Sequence, residues 1–262
     1  MATTFGMKKI NTFYTPESLP IEYTRYAEPN TICHGKIVGD CLKGDLTSDK
    51  EVLVLGDSHA AMLNHFFDYL GKELNFKAQV ITASSCVTIP KFDYKRLPSW
   101  GQRDCTDQIA EAKREIVKAD VVFLAACWSC HFKSDEFIVA INNFLDTTKK
   151  NNVKVFIMPQ EPLLNKSPLR NYRFKQLNLE MTVSKDSKYL LANDRLKDIA
   201  ENFLNVHVVK NDTGEFFNNA PFYENELTYF DKHHLNEVGS KLYAGEIIKN
   251  KELIEILKDM ND

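Results

Sequence analysis

Five short apolar segments recur along this chain, each separated from the next by polar turns and by a segment with a helical repeat. With four to six residues each, they are too short for helices, and they are mainly apolar, like strands buried between two layers. Such alternation favours a parallel sheet covered by helices on both faces. We therefore predict an α/β fold, a three-layer α/β/α sandwich around a five-stranded, mainly parallel sheet. The predicted strands are Val52–Leu55, Ala78–Thr82, Val121–Ala126, Val153–Met158 and Val206–Val209.

Helical periodicity predicts the elements between these strands. The predicted helices cover residues 59–74, 103–118, 134–149, 186–203 and 236–258. Residues 1–50, by contrast, contain scattered prolines and show no sustained period. We therefore divide the 262 residues into an irregular N-terminal extension, residues 1–50, packed on a single domain formed by residues 51–262.

Charge and hydropathy argue against two kinds of partner. The chain carries 33 basic and 36 acidic side chains, giving a net charge of −3, without a run of lysines or arginines. No nucleic-acid partner is therefore expected. The longest apolar run, Val121–Trp128, is far too short to cross a bilayer, so we predict no direct membrane insertion by this chain. Met7–Lys9 leads into a polar segment rather than an apolar signal core, so no export signal is expected.

Six cysteines indicate the compartment. Their even number and the loop-like position of four of them favour disulfides and thus an oxidising environment, whereas six free thiols in a cytosolic protein are the alternative. Sequence alone does not give the pairing. An oxidising compartment without an export signal suggests that the chain is part of a longer exported or membrane-anchored protein. The cysteines are Cys33, Cys41, Cys86, Cys105, Cys127 and Cys130.

The segment Gly56-Asp57-Ser58 joins the first predicted strand to the first predicted helix. A serine there has its hydroxyl at the carboxyl end of the sheet and its backbone N–H at a helix N-terminus, where an oxyanion can bind. The alternative is that Asp57 and Ser58 only cap the helix. Because ligands of such sheets bind at the carboxyl ends of the strands, the other candidate segments are Ser84–Cys86, Cys127–His131, Pro159–Glu161 and the loop after Val209.

That last loop contains Asp231 three residues before His234, just ahead of a helix capped by Asn236. An aspartate at this spacing can bind the imidazole Nδ1–H and leave Nε2 free to take a proton from a serine. A polar surface turn is the alternative for this pair alone, and His233 competes with His234 for the role of base. Combined with Ser58 after the first predicted strand, with the whole sheet between the two segments along the sequence, this pair favours a serine nucleophile with its base.

The segment Cys127-Trp128-Ser129-Cys130-His131 follows the third predicted strand. Its pattern also fits covalent haem attachment, a dithiol redox site, or a zinc site completed by His131. Each of these readings needs a further feature that the chain does not supply, such as a second ligand cluster for zinc. A structural disulfide or simple packing of the cysteines is the reading we adopt, and we predict no metal site.

Two motifs together resemble a known family. Gly56-Asp57-Ser58-His59 and Asp231-x-x-His234-Leu235 resemble the first and last blocks of the SGNH/GDSL hydrolases. The cysteine spacing, Ser84-Ser85-Cys86 and Ala125-Ala126-x-Trp128 further resemble the SGNH domain fused to acyltransferase-3 membrane proteins. The resemblance extends from about Cys33 to the C-terminus. It implies a flavodoxin-like SGNH-hydrolase fold and O-acetylation of a cell-surface polysaccharide such as O-antigen, capsule or peptidoglycan.

Carried onto this sequence, the resemblance implies that Ser58 is the nucleophile, His234 the general base and Asp231 its orienting partner. The oxyanion and substrate-binding candidates are Asp57, His59, Ser85 and Trp128. Asp57 is also expected to bond backbone groups and shape the turn. Two departures stand out, because Ser84-Ser85 replaces the glycine of the second block and Trp128 stands near the asparagine of the third. The implied disulfides are Cys33–Cys41 and Cys86–Cys105.

The same resemblance implies the partners and the compartment. The partners would be a glycan acceptor and a fused or associated membrane acyltransferase-3 domain, in the periplasm or another extracytoplasmic space. No cofactor is expected, since the acyl donor would come from the membrane domain or derive from acetyl-CoA. A free carbohydrate esterase or lipase-like hydrolase, and a catalytically weak glycan-binding module, are the alternatives.

Overall fold

A six-stranded sheet forms the centre of the computed structural model, which describes residues 19–210, 215–249 and 251–258. The strands lie in the order β1-β3-β2-β4-β5-β8. All pairs are parallel except β1 with β3. The predicted α/β fold with a mainly parallel sheet is thereby confirmed. The strands of this sheet are β1 (Leu42–Gly44), β2 (Glu51–Gly56), β3 (Lys77–Thr82), β4 (Val121–Ala125), β5 (Lys154–Ile157) and β8 (Val206–Val208).

The sixth strand, β1, comes from the extension that we predicted to be irregular. It pairs antiparallel with the edge of β3, and Leu42 lies opposite Gln79. Three residues, one of them glycine, show no periodicity, which is why the sequence did not predict this strand. Residues 1–18 of the predicted extension lie outside the described residues. Four shorter strands form two antiparallel pairs, β6 (Leu163–Leu164) with β7 (Lys185–Asp186) and β9 (Phe222–Tyr223) with β10 (Glu226–Leu227).

Helices cover both faces of the sheet. The predicted helix 59–74 is two helices, α1 and α2, and the predicted helix 236–258 is also two, α8 and α9. Helix α6 was not predicted, because its segment is rich in polar residues and begins at a proline. The helices are α1 (Ser58–Ala61), α2 (Asn64–Leu74), α3 (Ser99–Ile116), α4 (Trp128–His131), α5 (Asp135–Lys150), α6 (Pro168–Gln176), α7 (Lys188–Ala200), α8 (Glu237–Ile247) and α9 (Lys251–Lys258).

The core has two halves, one on each face of the sheet. Along β2, Leu53 and Leu55 join the half that contains α3, α5 and α7, whereas Val52 and Val54 join the half that contains α2 and α8. Successive side chains of a strand point to opposite faces, so a strand covered on both sides must be apolar throughout. No helix of the described residues is both long and apolar enough to span a membrane.

Three disulfides connect the irregular segments. Cys33–Cys41 closes a loop of the extension next to β1, and Cys86–Cys105 ties the loop after β3 to α3. Both pairs are those that the family resemblance implies. Cys127 and Cys130, whose pairing the sequence left open, are joined to each other across α4. Among the cysteines, none is free.

Replacing both members of a disulfide by alanine tests its contribution to stability. We expect the free energy of unfolding to fall by about 2–4 kcal/mol for Cys86–Cys105 and for Cys33–Cys41, because each bridge restricts the unfolded chain. The sequence separations are 19, 8 and 3 for Cys86–Cys105, Cys33–Cys41 and Cys127–Cys130, so the last pair should contribute least. Urea unfolding without reductant measures the three losses. Titratable thiols in the native, unreduced protein would contradict the pairing.

Candidate active site

Ser58, His234 and Asp231 form one hydrogen-bonded series at the carboxyl edge of the sheet. The Ser58 Oγ lies 2.8 Å from His234 Nε2. His234 Nδ1 lies 3.0 Å from each carboxylate oxygen of Asp231. With Nδ1–H donating to the carboxylate, the Nε2 lone pair faces the serine hydroxyl and can accept its proton. Ser58 and His234 are partly exposed, so a substrate can reach them.

The turn after β2 presents Ser58 because it can approach β4 closely. Gly56 has a φ of +153°, and a Cβ at this position would lie 1.8 Å from the carbonyl oxygen of Ala125. Only glycine fits there, since L-residues rarely adopt this φ and the neighbouring backbone leaves no room. Ser58 then begins α1, with its N–H at the helix N-terminus.

The loop before α8 holds His234 in place. Asp231 Oδ1 accepts hydrogen bonds from the backbone N–H groups of His233 and His234, and Asn236 caps α8 by accepting from Gly239. Burial raises the pKa of Asp231, but the hydrogen bonds with the His234 side chain and with the two backbone N–H groups outweigh it and lower the pKa to about 2. His233 is exposed, so the geometry favours His234 as the partner of Ser58.

Ser85 lies in the turn after β3, beside the turn that carries Ser58. Gly56 and Thr82 are register partners, so the two turns leave the sheet side by side. Ser85 is exposed with a φ of +56°, and Cys86 N–H closes the turn on Ala83. Within the described part of the chain, the N–H groups of Ser58, Ser84 and Ser85 donate to no protein acceptor. These three N–H groups are thus available for an anionic oxygen, and the Ser85 side chain has no hydrogen-bond partner in the site.

Trp128 is not a substrate-binding or oxyanion residue, and that expectation was wrong. The indole is completely buried and its N–H donates to the carbonyl of Met158 at 2.8 Å. Its ring stacks on Phe132. Because α4 begins at Trp128 directly after β4, the side chain turns inward to the core rather than toward Ser58.

Asp57 is also buried, with 2% of its surface exposed, so the expectation that it binds substrate was wrong as well. Its carboxylate accepts from the backbone N–H of His59 at 2.8 Å and of Cys127 at 3.0 Å, and from His131 Nε2 at 2.8 Å. The second role expected for it, bonding backbone groups to shape the turn, agrees with these contacts. Through Cys127, it ties the Ser58 turn to the loop after β4.

His131 connects the Asp57 carboxylate to the ion pair of Arg96 and Asp93. Arg96 donates to His131 Nδ1 and forms an ion pair with Asp93 at 2.8 Å. Because the guanidinium can only donate, Nδ1 must be the acceptor, and Nε2–H therefore donates to Asp57. The neutral imidazole thus links the Asp57 carboxylate to the Arg96 cation.

His59 is buried below the surface of the site, so the expectation that it binds substrate was wrong. It is 2% exposed, and its Nδ1 lies 3.3 Å from Glu161 Oε2, which is 2% exposed as well. The imidazole rings of His59 and His234 have centroids 5.2 Å apart. Glu161 follows β5 in one of the predicted candidate segments, but no sequence pattern distinguishes it from its neighbours there.

The extension adds two residues that sequence reasoning missed. Tyr26 contacts the rings of His34 and His234 at centroid distances of 6.2 Å and 5.5 Å. The His34 nitrogens lie 3.0 Å from Thr82 Oγ1 and 3.0 Å from Ser84 Oγ. The adjacent Cys33–Cys41 disulfide was the only signal that this loop is held in place.

The tautomer of His34 follows from its neighbours. The Thr82 hydroxyl donates to Cys33 O, so it accepts from His34 Nδ1–H. Burial lowers the pKa of His34 to about 4, so the ring is neutral and its Nε2 accepts from the Ser84 hydroxyl. His34 thereby holds the Ser84–Ser85 turn, which supplies two of the available N–H groups.

A parallel sheet with a serine, histidine and aspartate in series at its carboxyl edge is the arrangement of the SGNH hydrolase class of α/β proteins. The chain belongs to the family described as SGNH domain (fused to AT3 domains), whose model matches residues 25–249. A comparison with curated proteins finds no match.

Solved structures show the same fold. The periplasmic domain of a lipopolysaccharide acetyltransferase from Salmonella ser. Paratyphi A is 16% identical and has a TM-score of 0.61; the match covers 92% of this chain and 99% of that one. The acetyl xylan esterase AlAXEase is 13% identical with a TM-score of 0.50, and the match covers 76% of this chain and 98% of that one. At these identities the likeness extends to the fold alone.

Proposed function

We propose that this domain is a serine-dependent O-acetyltransferase acting on a bacterial cell-surface polysaccharide through an acetyl-Ser58 intermediate. The observation that carries the proposal is the 2.8 Å contact of Ser58 Oγ with His234 Nε2, with Asp231 on the other ring nitrogen. Membership of a family fused to AT3 domains and a neighbour that is a lipopolysaccharide acetyltransferase domain support acetyl transfer over other reactions of the fold.

In the first half-reaction, Ser58 Oγ attacks the acetyl carbonyl while its proton moves to His234 Nε2. Collapse of the tetrahedral adduct breaks the bond to the donor's leaving group, which takes the proton from His234. In the second half, His234 removes a proton from a sugar hydroxyl, whose oxygen attacks acetyl-Ser58. The sugar ester leaves, and the proton returns to Ser58 Oγ. Asp231 keeps Nε2 unprotonated at the start of each half.

The oxyanion would be held by backbone donors. The N–H groups of Ser58, Ser84 and Ser85 follow neighbouring strands and donate to no protein acceptor among the described residues. The Trp128 indole N–H donates to the Met158 carbonyl. It therefore cannot replace the oxyanion donor that an asparagine of the third block would supply. One such donor is worth about 10²–10³-fold in turnover, so hydrolysis of simple esters should be slow, which suits an enzyme whose acyl-serine must wait for a sugar.

The partners and the compartment follow from the same reading. The family's fusion to AT3 domains favours a membrane acyltransferase as the source of the acetyl group, either from that domain directly or from acetyl-CoA. Three disulfides favour an extracytoplasmic location, since such bonds persist in oxidising compartments. The acceptor would be a glycan exposed on the same side of the membrane.

Reaction with p-nitrophenyl acetate tests the proposal. We expect a rapid burst of about one p-nitrophenolate per protein, then slow turnover, because acetyl-Ser58 forms faster than water removes it. Mass spectrometry should place one acetyl group on the peptide containing Ser58, and added oligosaccharide acceptors should speed its loss.

The outcome separates the alternatives. Turnover as fast as that of an efficient esterase, unaffected by acceptor, would favour a free hydrolase. No acetylation of Ser58 would favour a glycan-binding module without catalysis.

A further inference from the structure

His59 and Glu161 form a buried pair directly behind the proposed base. We propose that this pair is ionised and that the His59 imidazolium keeps His234 unprotonated, so that the pair sets the lower pH limit of the domain's activity. His59 and Glu161 are then positioning residues that act through His234. The inference rests on the proposed function, because it concerns the base of that same site.

The geometry isolates the pair from solvent. Both side chains are 2% exposed, and His59 Nδ1 lies 3.3 Å from Glu161 Oε2. The other carboxylate oxygen, Glu161 Oε1, is buried and has no hydrogen-bond partner among the described residues. Within residues 19–210, 215–249 and 251–258, His59 is therefore the one group that bonds to this buried carboxylate. A buried carboxylate without a charged partner is strongly destabilising, and a protonated His59 supplies that partner.

Charged groups from several elements surround His59. Glu161 comes from the loop after β5, Asp57 from the turn after β2, and Asp231 from the loop before α8. Among the described residues, the other titratable groups facing this cluster are His34, His131, His233, His234 and three tyrosines with raised pKa values, Tyr26, Tyr229 and Tyr243. His34 is neutral, His131 is held neutral between Arg96 and Asp57, and the three carboxylates thus make the surroundings of His59 negative.

This field favours the charged form of His59. Burial lowers the pKa of the ring, but the hydrogen bond with Glu161 and the charges of Asp57, Glu161 and Asp231 outweigh burial and raise the pKa. The imidazolium therefore persists where an ordinary histidine has lost its proton.

His59 lies close enough to His234 for its charge to oppose protonation of the His234 ring. The two ring centroids are 5.2 Å apart, within the range at which like charges disfavour each other. A second proton on His234 would put two imidazolium rings in contact, so His234 accepts it only at lower pH. A base must be unprotonated to act, and the acid limb of the pH–activity profile should therefore lie lower with His59 than without it.

The test measures the rate at which a fluorophosphonate labels Ser58 as a function of pH. In His59→Gln, we expect the acid limb to move up by about one pH unit, while labelling at high pH stays within about threefold of the wild type. Adding Glu161→Gln to this variant removes the remaining carboxylate, which favours protonation of His234, and the limb should return part of the way. The matched control is His65→Gln, since His65 is 40% exposed and lies 3.7 Å from Glu237 outside the site; its limb should not move.

The outcomes separate this inference from the proposed function. Wild-type protein that is not labelled at all would count against the function. A different result would be that His59→Gln is labelled more slowly at every pH while the acid limb of its pH profile stays where it is in the wild type. That result would show that His59 only packs against the site, and it would overturn the inference. If adding Glu161→Gln leaves the acid limb of the pH profile unchanged, Glu161 has no part in the effect on His234.

A histidine NMR titration of the wild-type protein provides a second measurement, which needs no buried substitution to be tolerated. His59 should stay protonated at pH values at which His234 has lost its proton. The reverse order would overturn the proposal.

Discussion

Ser58→Ala is expected to abolish labelling by a fluorophosphonate and to lower ester turnover by at least about 10³-fold, since removing the nucleophile of such a series leaves only binding and oxyanion contributions. The protein should remain folded, because the Ser58 hydroxyl makes one side-chain contact, with His234, and fills no part of the core. Mass spectrometry of labelled protein and circular dichroism measure the two effects.

Variants of other residues, inside and outside the site, serve as comparisons for Ser58→Ala. His234→Gln should cost nearly as much as Ser58→Ala, because the two residues act as one unit, whereas Asp231→Asn should cost less. His233→Ala should keep wild-type activity, and Ser99→Ala, which changes an exposed serine at the start of α3, should keep wild-type labelling. Labelling that persists in Ser58→Ala would refute the assignment of the nucleophile.

The five parallel strands could be predicted from the sequence because helices cover both faces of the sheet, so each strand is mainly apolar. It did not predict β1, whose place depends on pairing with β3 rather than on its own composition. The break between α1 and α2 was missed for a related reason. The apolar stripe continues across residues 62–63, where Met62 and Leu63 are both buried, so periodicity carries no sign of the interruption.

Motif spacing located Ser58, Asp231 and His234, because a serine after the first strand and an Asp-x-x-His before the last helix have local geometric requirements. It could not locate His34 or Glu161, which reach the site through the packing of separate segments. Trp128 shows the opposite error. Its position after β4 suggested a place in the site, but the direction of a side chain depends on how the next helix begins, and α4 turns the indole into the core.

Asp57→Asn is expected to lower the free energy of unfolding by about 3–5 kcal/mol, the typical cost of breaking a buried charged network. Asp57 Oδ2 accepts from both the Cys127 N–H and His131 Nε2. An amide NH₂ in its place would face two donors, and His131 cannot offer its lone pair because Nδ1 already accepts from Arg96. The other amide orientation turns the NH₂ toward the His59 N–H instead, so one donor is always opposed to another.

The pH dependence distinguishes this loss from simple misfit. Burial raises the pKa of Asp57, but the hydrogen bond from His131, the charge of His59 and the hydrogen bond from the Cys127 N–H lower it well below its ordinary value. A carboxylate with a depressed pKa in the folded state adds stability above about pH 4, its unfolded value, and that stability is lost as the pH falls toward the folded value. Urea unfolding at pH 7 and at pH 3 should therefore show a large gap between wild type and Asp57→Asn that narrows on acidification.

Asp231→Asn is the matched comparison for this prediction. Its carboxylate accepts from His233 and His234 at a partly exposed position, where water can replace lost hydrogen bonds. Asp231→Asn should therefore reduce activity with a much smaller loss of stability than Asp57→Asn. If Asp57→Asn costs no more than about 1 kcal/mol, or if its deficit is the same at both pH values, the carboxylate is not what holds the Ser58 turn against the loop after β4.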